Sequence, residues 1–436
     1  MVWLKRAAGF LAAALTPLLI AGGSASEPSE LRPSAEKEDA SQTNPRPGLE
    51  ALEGSRLFAD VERYVSLGLK KRTGSSASRR INGWLARSLR QAGYRLTFQE
   101  FGLDRYQLYG CALWVEGLRR ECFPLWYPND STLIDEPVRV LEVRGYSQGS
   151  LDSDGVLSEE IASGPSGMIL VNNLLPEVMG INASLESAET PFPMPIVVVG
   201  DEDRDLLAGG SSNTITVDKL YVFGSSRPNS VGHNVIGYLP SRSPTDKTVV
   251  ISTPTTGWFA AGGERGPGVA LWRGLARWAS SSDLPVHLVF LGTAGHELDF
   301  MGMREFISSA PDPEDVLFWV HLGASIVTQT EGDDGAVALR YSRLDYNDEA
   351  LSPALNRHLG PVGFEPALQS ERTAGTLAFI MNRGYRSFGF YGAFRKFHTR
   401  DDFADSTSGE ALEPVARALA LSIAELVQSL TSAPRP

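Results

Sequence analysis

The run Leu288-Val-Phe-Leu-Gly-Thr-Ala-Gly-His296-Glu297 constrains the fold more than any other stretch. Continuous apolar residues, partly β-branched, read as a strand buried on both faces of a parallel sheet. A small-residue turn follows, and then two side chains able to bind a metal or move a proton. In open α/β sheets chemistry sits just beyond the carboxyl ends of such strands. The organising question is whether other segments bring polar groups to the same edge.

Three further stretches qualify. Thr248-Val-Val-Ile251 ends in the polar stretch 252–256, residues 316–320 end at His321, and residues 385–391 lead to a loop carrying His398. Between the first two strands lies Gly263-Glu264-Arg265-Gly266-Pro267-Gly268. A helix follows it, with Val269, Trp272, Leu275, Ala276 and Ala279 on its apolar face. Pro267 suits a first helical turn, because it has no N–H to lose. Glu264 then stands just outside a helix N-terminus, where a carboxylate is favoured. Strands alternating with helices predict a three-layer α/β sandwich with a mixed, mostly parallel sheet. The spacing also predicts a helical stretch over 56–96 and a closing amphipathic helix from Gly409 to about residue 430.

Residues 104–230 read differently. Short β-rich pieces at 137–143, 168–171 and 195–199 are cut by Gly, Ser and Pro, as in a smaller β-rich domain inserted into the larger one. The expected division is 51–103 with 231–432 as the α/β domain and 104–230 as the insert. Cys111 and Cys122, the only cysteines, flank a segment that alternates around Gly117. That pattern reads as a β-hairpin across which the two thiols could face each other; the alternatives are a disulfide and two free thiols, and an export signal favours the disulfide.

At the N-terminus Lys5 and Arg6 precede an apolar run over 7–20, and small residues follow. This is the pattern of a signal peptide over 1–26, with an uncleaved anchor as the alternative. Residues 27–50, rich in Pro, Ser and Glu, read as a disordered lead-in. Export implies a periplasmic or secreted protein, in which the disulfide is at home. A net charge of −12 argues against nucleic acid or an anionic membrane as partner.

Taken together, the strand ends and the helix-preceding turn offer Glu264, His296, Glu297, His321 and His398. Two carboxylates and an imidazole around an open position suit a catalytic zinc. Rival motifs are poorer. His296-Glu297-Leu-Asp-Phe300 lacks the second His of a helical zinc motif. Gly145-Tyr-Ser147-Gln-Gly149 matches a nucleophile-elbow pattern, but Ser150–Leu157 makes a poor opening helix, and a β-turn serine is the plainer reading.

At these residues the chain resembles the exported zinc aminopeptidases and glutaminyl cyclases, over roughly 56–103 and 233–430. The resemblance rests on Arg72-Thr-Gly74, His233-Asn-Val-Ile-Gly237, Gly263–Gly268, Gly295-His-Glu297 with Gly302, and Phe397-His-Thr399 with Asp402. Pro195-Ile-Val-Val-Val-Gly within the insert is similar to a protease-associated domain. The chain also departs from the pattern. Thr253-Pro-Thr255 stands where the family has its HxD motif, Glu264-Arg265 replaces an Asp-Asn pair, and His296-Glu297 replaces Glu-Glu. Val320 or His321 falls at a later Asp, and Ala374-Gly-Thr376 at a Ser-Asp-His motif.

The resemblance implies a metal-dependent hydrolase of the aminopeptidase type, acting on a peptide or small amide. Glu264, Glu297 and His398 would hold a single zinc, with His321 as a further ligand or oxyanion-orienting group. His296 would be either the proton acceptor or a third nitrogen ligand. The rival readings are a non-catalytic member of the fold that binds or scaffolds and, further off, a serine hydrolase using Ser147. A lysine or arginine lying among the three ligand positions would defeat the zinc arrangement.

Overall fold

A computed structural model describes residues 48–432, apart from 129, 185–190, 209–212 and 332–335. The signal peptide and nearly all of the lead-in lie outside the described residues. Among those described, no helix is long and apolar enough to cross a membrane.

The chain starts with helices α1 (Gly54–Ser66) and α2 (Ser76–Gln91). The helical stretch expected over 56–96 is therefore two helices. The break has a local cause: Gly68 and Gly74 adopt left-handed φ of 145° and 73°, and the Ser75 side chain accepts from the Ser78 N–H as an N-cap. Leu57, Val61 and Tyr64 of α1, and Ile81, Leu85 and Leu89 of α2, are buried at helical spacing.

The β-rich part follows. Strands β1 (Arg95–Val115), β2 (Leu118–Glu121), β3 (Phe123–Pro124) and β4 (Ser131–Val143) come first. Short helices α3 (Gln148–Leu151) and α4 (Val156–Ala162) lead to β5 (Met168–Asn172), β6 (Ile196–Gly200) and β7 (Thr214–Leu239). The β1–β2 hairpin turns at Glu116 and Gly117, both at positive φ, as a two-residue loop requires. It brings Cys111 and Cys122 to a Cα separation of 5.7 Å, and they form a disulfide. Cross-linking residues 11 apart restricts the unfolded chain. Reduction is therefore expected to cost about 3 kcal/mol, read as a lower urea midpoint with unchanged slope.

The rest supplies the central sheet: β8 (Thr248–Pro254), α5 (Gly266–Ser281), β9 (His287–Thr293), α6 (Met301–Ile307) and β10 (Val316–Leu322). Beyond these come β11 (Val327–Glu331), β12 (Val337–Tyr341), β13 (Arg343–Tyr346), α7 (Ser352–His358), β14 (Pro366–Leu368), α8 (Gly375–Met381), β15 (Ser387–Tyr391) and α9 (Gly409–Ser432).

Among the described residues, thirteen strands make one sheet in the order β14-β13-β15-β10-β8-β9-β7-β4-β5-β6-β3, with β1 also paired to β7 and β2 paired to β1. β15, β10, β8 and β9 run parallel. β8 and β10 are buried at every position, because helices cover both faces. β1 and β7 are paired along most of their length and carry the sheet from this region into the β-rich part. One large apolar cluster joins α1, α2, α5 and α9 to the central strands. A second gathers Trp126, Val138, Val199 and Leu220 with Trp258 and Leu298. The mixed α/β layering is thus as the periodicity implied, and the parallel strands end where Ser252, Gly295 and His321 begin the site.

Candidate functional site

Glu264 is the centre of the constellation. It lies in the turn before α5, 1% exposed, with its backbone N–H donating to Asp402 Oδ2 at 2.9 Å. Its Oε1 is 2.8 Å from Arg265 Nη2 and 3.3 Å from His398 Nε2. Burial pushes the Glu264 pKa up, but Arg265 and His398 outweigh that and hold it below its ordinary value. Arg265 is also 1% exposed, and its Nε donates to the Thr256 carbonyl at 3.1 Å.

His398 is clamped by the backbone of Gly180. Its Nδ1 lies 2.9 Å from the Gly180 carbonyl, and the Gly180 N–H donates to the His398 carbonyl at 2.9 Å. A carbonyl can only accept, so Nδ1 carries a proton, and Nε2 is the nitrogen that faces Glu264. His398 itself has φ 61°, a left-handed conformation that this clamp maintains. Gly180 is needed for another reason: a Cβ there would stand 2.5 Å from the Trp258 ring. Gly180→Ala is therefore expected to cost about 1–3 kcal/mol by overpacking, measured by urea unfolding.

Glu297 is 1% exposed and turned to a different set of partners. Its Oε1 accepts from Thr73 N–H at 2.6 Å and Thr73 Oγ1 at 2.7 Å, and its Oε2 accepts from Thr256 Oγ1 at 2.7 Å. The loop between α1 and α2 thus ends on this carboxylate.

His321 Nδ1 lies 2.9 Å from Ser252 Oγ, which accepts from Trp319 Nε1 at 2.7 Å. Indole only donates, so Ser252 Oγ accepts from Trp319, and the contact with His321 is made by either tautomer: Nδ1 accepts from the serine hydroxyl or donates to its oxygen. Burial first, and then Arg265, push the His321 pKa down to about 3, so the ring is neutral. His296 is half-buried, with Nδ1 3.0 Å from Thr376 Oγ1 and its ring 5.0 Å from that of Phe300. Burial, then Arg265, hold its pKa well below the usual imidazole value.

The structure therefore brings Glu264 and His398 into contact. Glu297 joins them through Thr256, whose hydroxyl donates to Glu297 and whose carbonyl accepts from Arg265. His296 and His321 point to Thr376 and Ser252, within electrostatic reach of the same guanidinium. Among the described residues no three His, Cys, Asp or Glu side chains converge as a metal-binding group. Sequence reasoning placed Arg265 but gave it no role, and it passed over Lys71. Lys71 is buried, donates to the Ala260 carbonyl at 2.7 Å and sits 4.6 Å from the Tyr64 ring centroid. Burial lowers its pKa to about 7, against the pull of Asp402 and Glu264. The signal for both was positional: Lys71 immediately precedes Arg72-Thr-Gly74, and Arg265 lies within Gly263–Gly268. Ser147 caps α3, accepting from the Ser150 N–H, which is the role of a turn serine.

No family model matches this sequence, and no curated protein matches it. Its three-dimensional likeness is extensive. A zinc aminopeptidase from Bacillus subtilis superposes with a TM-score of 0.65 at 14% identity, over 86% of this chain and 95% of that one. A peptidase M28 precursor from Shewanella amazonensis gives 0.67 at 14% identity, over 87% and 95%. An aminopeptidase from Aneurinibacillus sp. strain AM-1 gives 0.63 at 15%, over 86% and 94%. This is the fold of the zinc aminopeptidases, as the sequence resemblance implied.

The zinc such a fold implies can be tested against the residues present, and they do not fit it. A zinc on Glu264 would have to sit beside the buried Arg265 guanidinium, 2.8 Å from Oε1. Repulsion between that cation and a divalent ion about 5 Å away costs on the order of several kcal/mol. Glu297 has both oxygens engaged by three donors.

Proposed function

We propose that this protein is a metal-free member of the zinc-aminopeptidase fold that binds a peptide-like ligand without hydrolysing it. The observation that carries the reading is the Arg265 guanidinium, side chain 1% exposed, 2.8 Å from Glu264 Oε1. A permanent +1 charge stands beside the first of the three residues to which the resemblance assigns a metal. The carboxylates of Glu297 and Asp402 are held by internal donors instead, and that of Glu264 faces Arg265 and His398. Retention of the fold without its chemistry fits a binding role, and the aminopeptidase activity named for the structural neighbours gives the ligand class. The Cys111–Cys122 disulfide and the N-terminal leader pattern support a periplasmic or secreted location.

The single-zinc hydrolase reading requires a divalent ion to be held beside the Arg265 guanidinium, so one experiment separates the two. Purified protein is analysed for zinc and assayed on aminoacyl anilides with and without chelator. The expected result is zinc far below one per chain and no chelator-sensitive release of amino acid. Stoichiometric zinc together with chelator-sensitive hydrolysis would overturn the proposal.

A further inference from the structure

Beside that site, four arginines gather where the 67–75 loop meets the long β1–β7 pair. Arg105 and Arg227 are direct cross-strand partners. Like charges placed opposite each other in this way destabilise a sheet. Arg79, from the first turn of α2, donates to the Gly74 carbonyl at 2.8 Å. Gly74 in turn packs on Arg105, since a Cβ there would be 3.4 Å from Arg105 Cδ. Arg72 stacks over Trp126, its Cζ 4.5 Å from the ring centroid.

Among the described residues no acid forms an ion pair with any of the four, in a chain with 52 Asp and Glu against 40 Lys and Arg. The nearby Asp104 accepts from the Asn229 N–H, and Asp130 accepts from the Tyr106 hydroxyl. Arg227 Nη2 donates to the Tyr109 hydroxyl at 3.2 Å. Arg72 Nη1 and Arg105 Nε are buried and have no hydrogen-bond partner. A buried donor without an acceptor costs free energy, and guanidinium groups are matched in shape to the paired oxygens of carboxylates and phosphates.

We propose that Arg72, Arg79, Arg105 and Arg227 form a binding site for an oxyanion, a phosphate or carboxylate group. It borders Glu264 and its partners, since the Glu297 charge acts on Arg72, and it is joined to them in sequence. Arg72 precedes Thr73, whose N–H and hydroxyl hold Glu297, so an anion drawn to Arg72 acts on the segment that ends on that carboxylate. Arg227 is exposed and its guanidinium has no role in the core, which makes it the cleanest probe.

The test is calorimetric titration of the full-length protein at fixed ionic strength with inorganic phosphate and, separately, with triglutamate. Thermal unfolding is followed in parallel. The native protein is expected to bind at least one of these saturably and to melt higher in its presence, as linkage requires. Tighter binding of phosphate or of triglutamate identifies the oxyanion. Arg227→Gln is expected to melt higher than the native protein in chloride buffer, because the opposed charges are gone, and to lose both binding and the ligand-induced rise. Arg87→Gln, an exposed arginine on α2 outside the cluster, is expected to bind as the native protein does. The proposal is overturned if neither anion binds saturably, if Arg227→Gln binds unchanged, or if Arg87→Gln loses binding equally.

Discussion

Replacing Arg265 with methionine is expected to destabilise the protein by about 3–5 kcal/mol, the cost of removing one partner from a buried ion pair. The physical reason is what stays behind. Glu264 is 1% exposed, and beside Arg265 its Oε1 faces only the imidazole edge of His398. Without the guanidinium the carboxylate must take up a proton or remain a buried charge. Methionine keeps the length and the apolar packing of the arginine stem, so little of the loss comes from a cavity. The companion variant Glu264→Gln/Arg265→Met removes both charges, and its amide N–H can donate to His398 Nε2. It is expected to recover much of the loss, with a coupling of about 2 kcal/mol or more in a double-mutant cycle. Urea unfolding of the two single variants and the double measures this directly. Additive costs, or a neutral Arg265→Met, would show that the cation is incidental and would reopen the site to a metal.

The second large effect is at Glu297. Glu297→Ala removes the acceptor of three donors at once: Thr73 N–H, Thr73 Oγ1 and Thr256 Oγ1. Each buried donor left unmatched costs about 1–3 kcal/mol, and water entering the space returns part of it. A net loss of about 3–5 kcal/mol is expected. Thr256→Val, which removes one of the three donors and leaves the acceptor in place, is expected to cost about 1–2 kcal/mol. A carboxylate kept only to bind metal makes the opposite prediction: in metal-free buffer Glu297→Ala would then be neutral or stabilising. Chelator-treated protein followed by urea unfolding distinguishes the two, because the knot around Glu297 owes nothing to an ion.

Both predictions concern residues whose pattern is visible in the sequence although their contacts are not. Glu264, Glu297 and His398 can be placed on one sheet edge because runs such as Leu288-Val-Phe-Leu are buried on both faces and end abruptly in small or polar residues. The hairpin at 112–121 and its disulfide are legible because two-residue turns demand left-handed residues, and Gly117 stands between alternating strands. The single helix expected over 56–96 fails for a related reason. Gly68 and Gly74 interrupt an otherwise continuous apolar spacing, and periodicity averaged across them hides the break.

The sequence by itself determined the α/β layering, the strand ends that carry polar groups and the cysteine pair, because burial period and turn chemistry are local properties of a chain. Only the tertiary structure decided what the site is. Arg265 adjoins Glu264 in sequence, yet nothing in that adjacency says that the guanidinium turns inward to the carboxylate while Glu297 is taken by Thr73 from a loop more than two hundred residues away. Charges in a buried site pair with whatever the fold brings within reach, and that choice is made by geometry across the sheet, which no local pattern records.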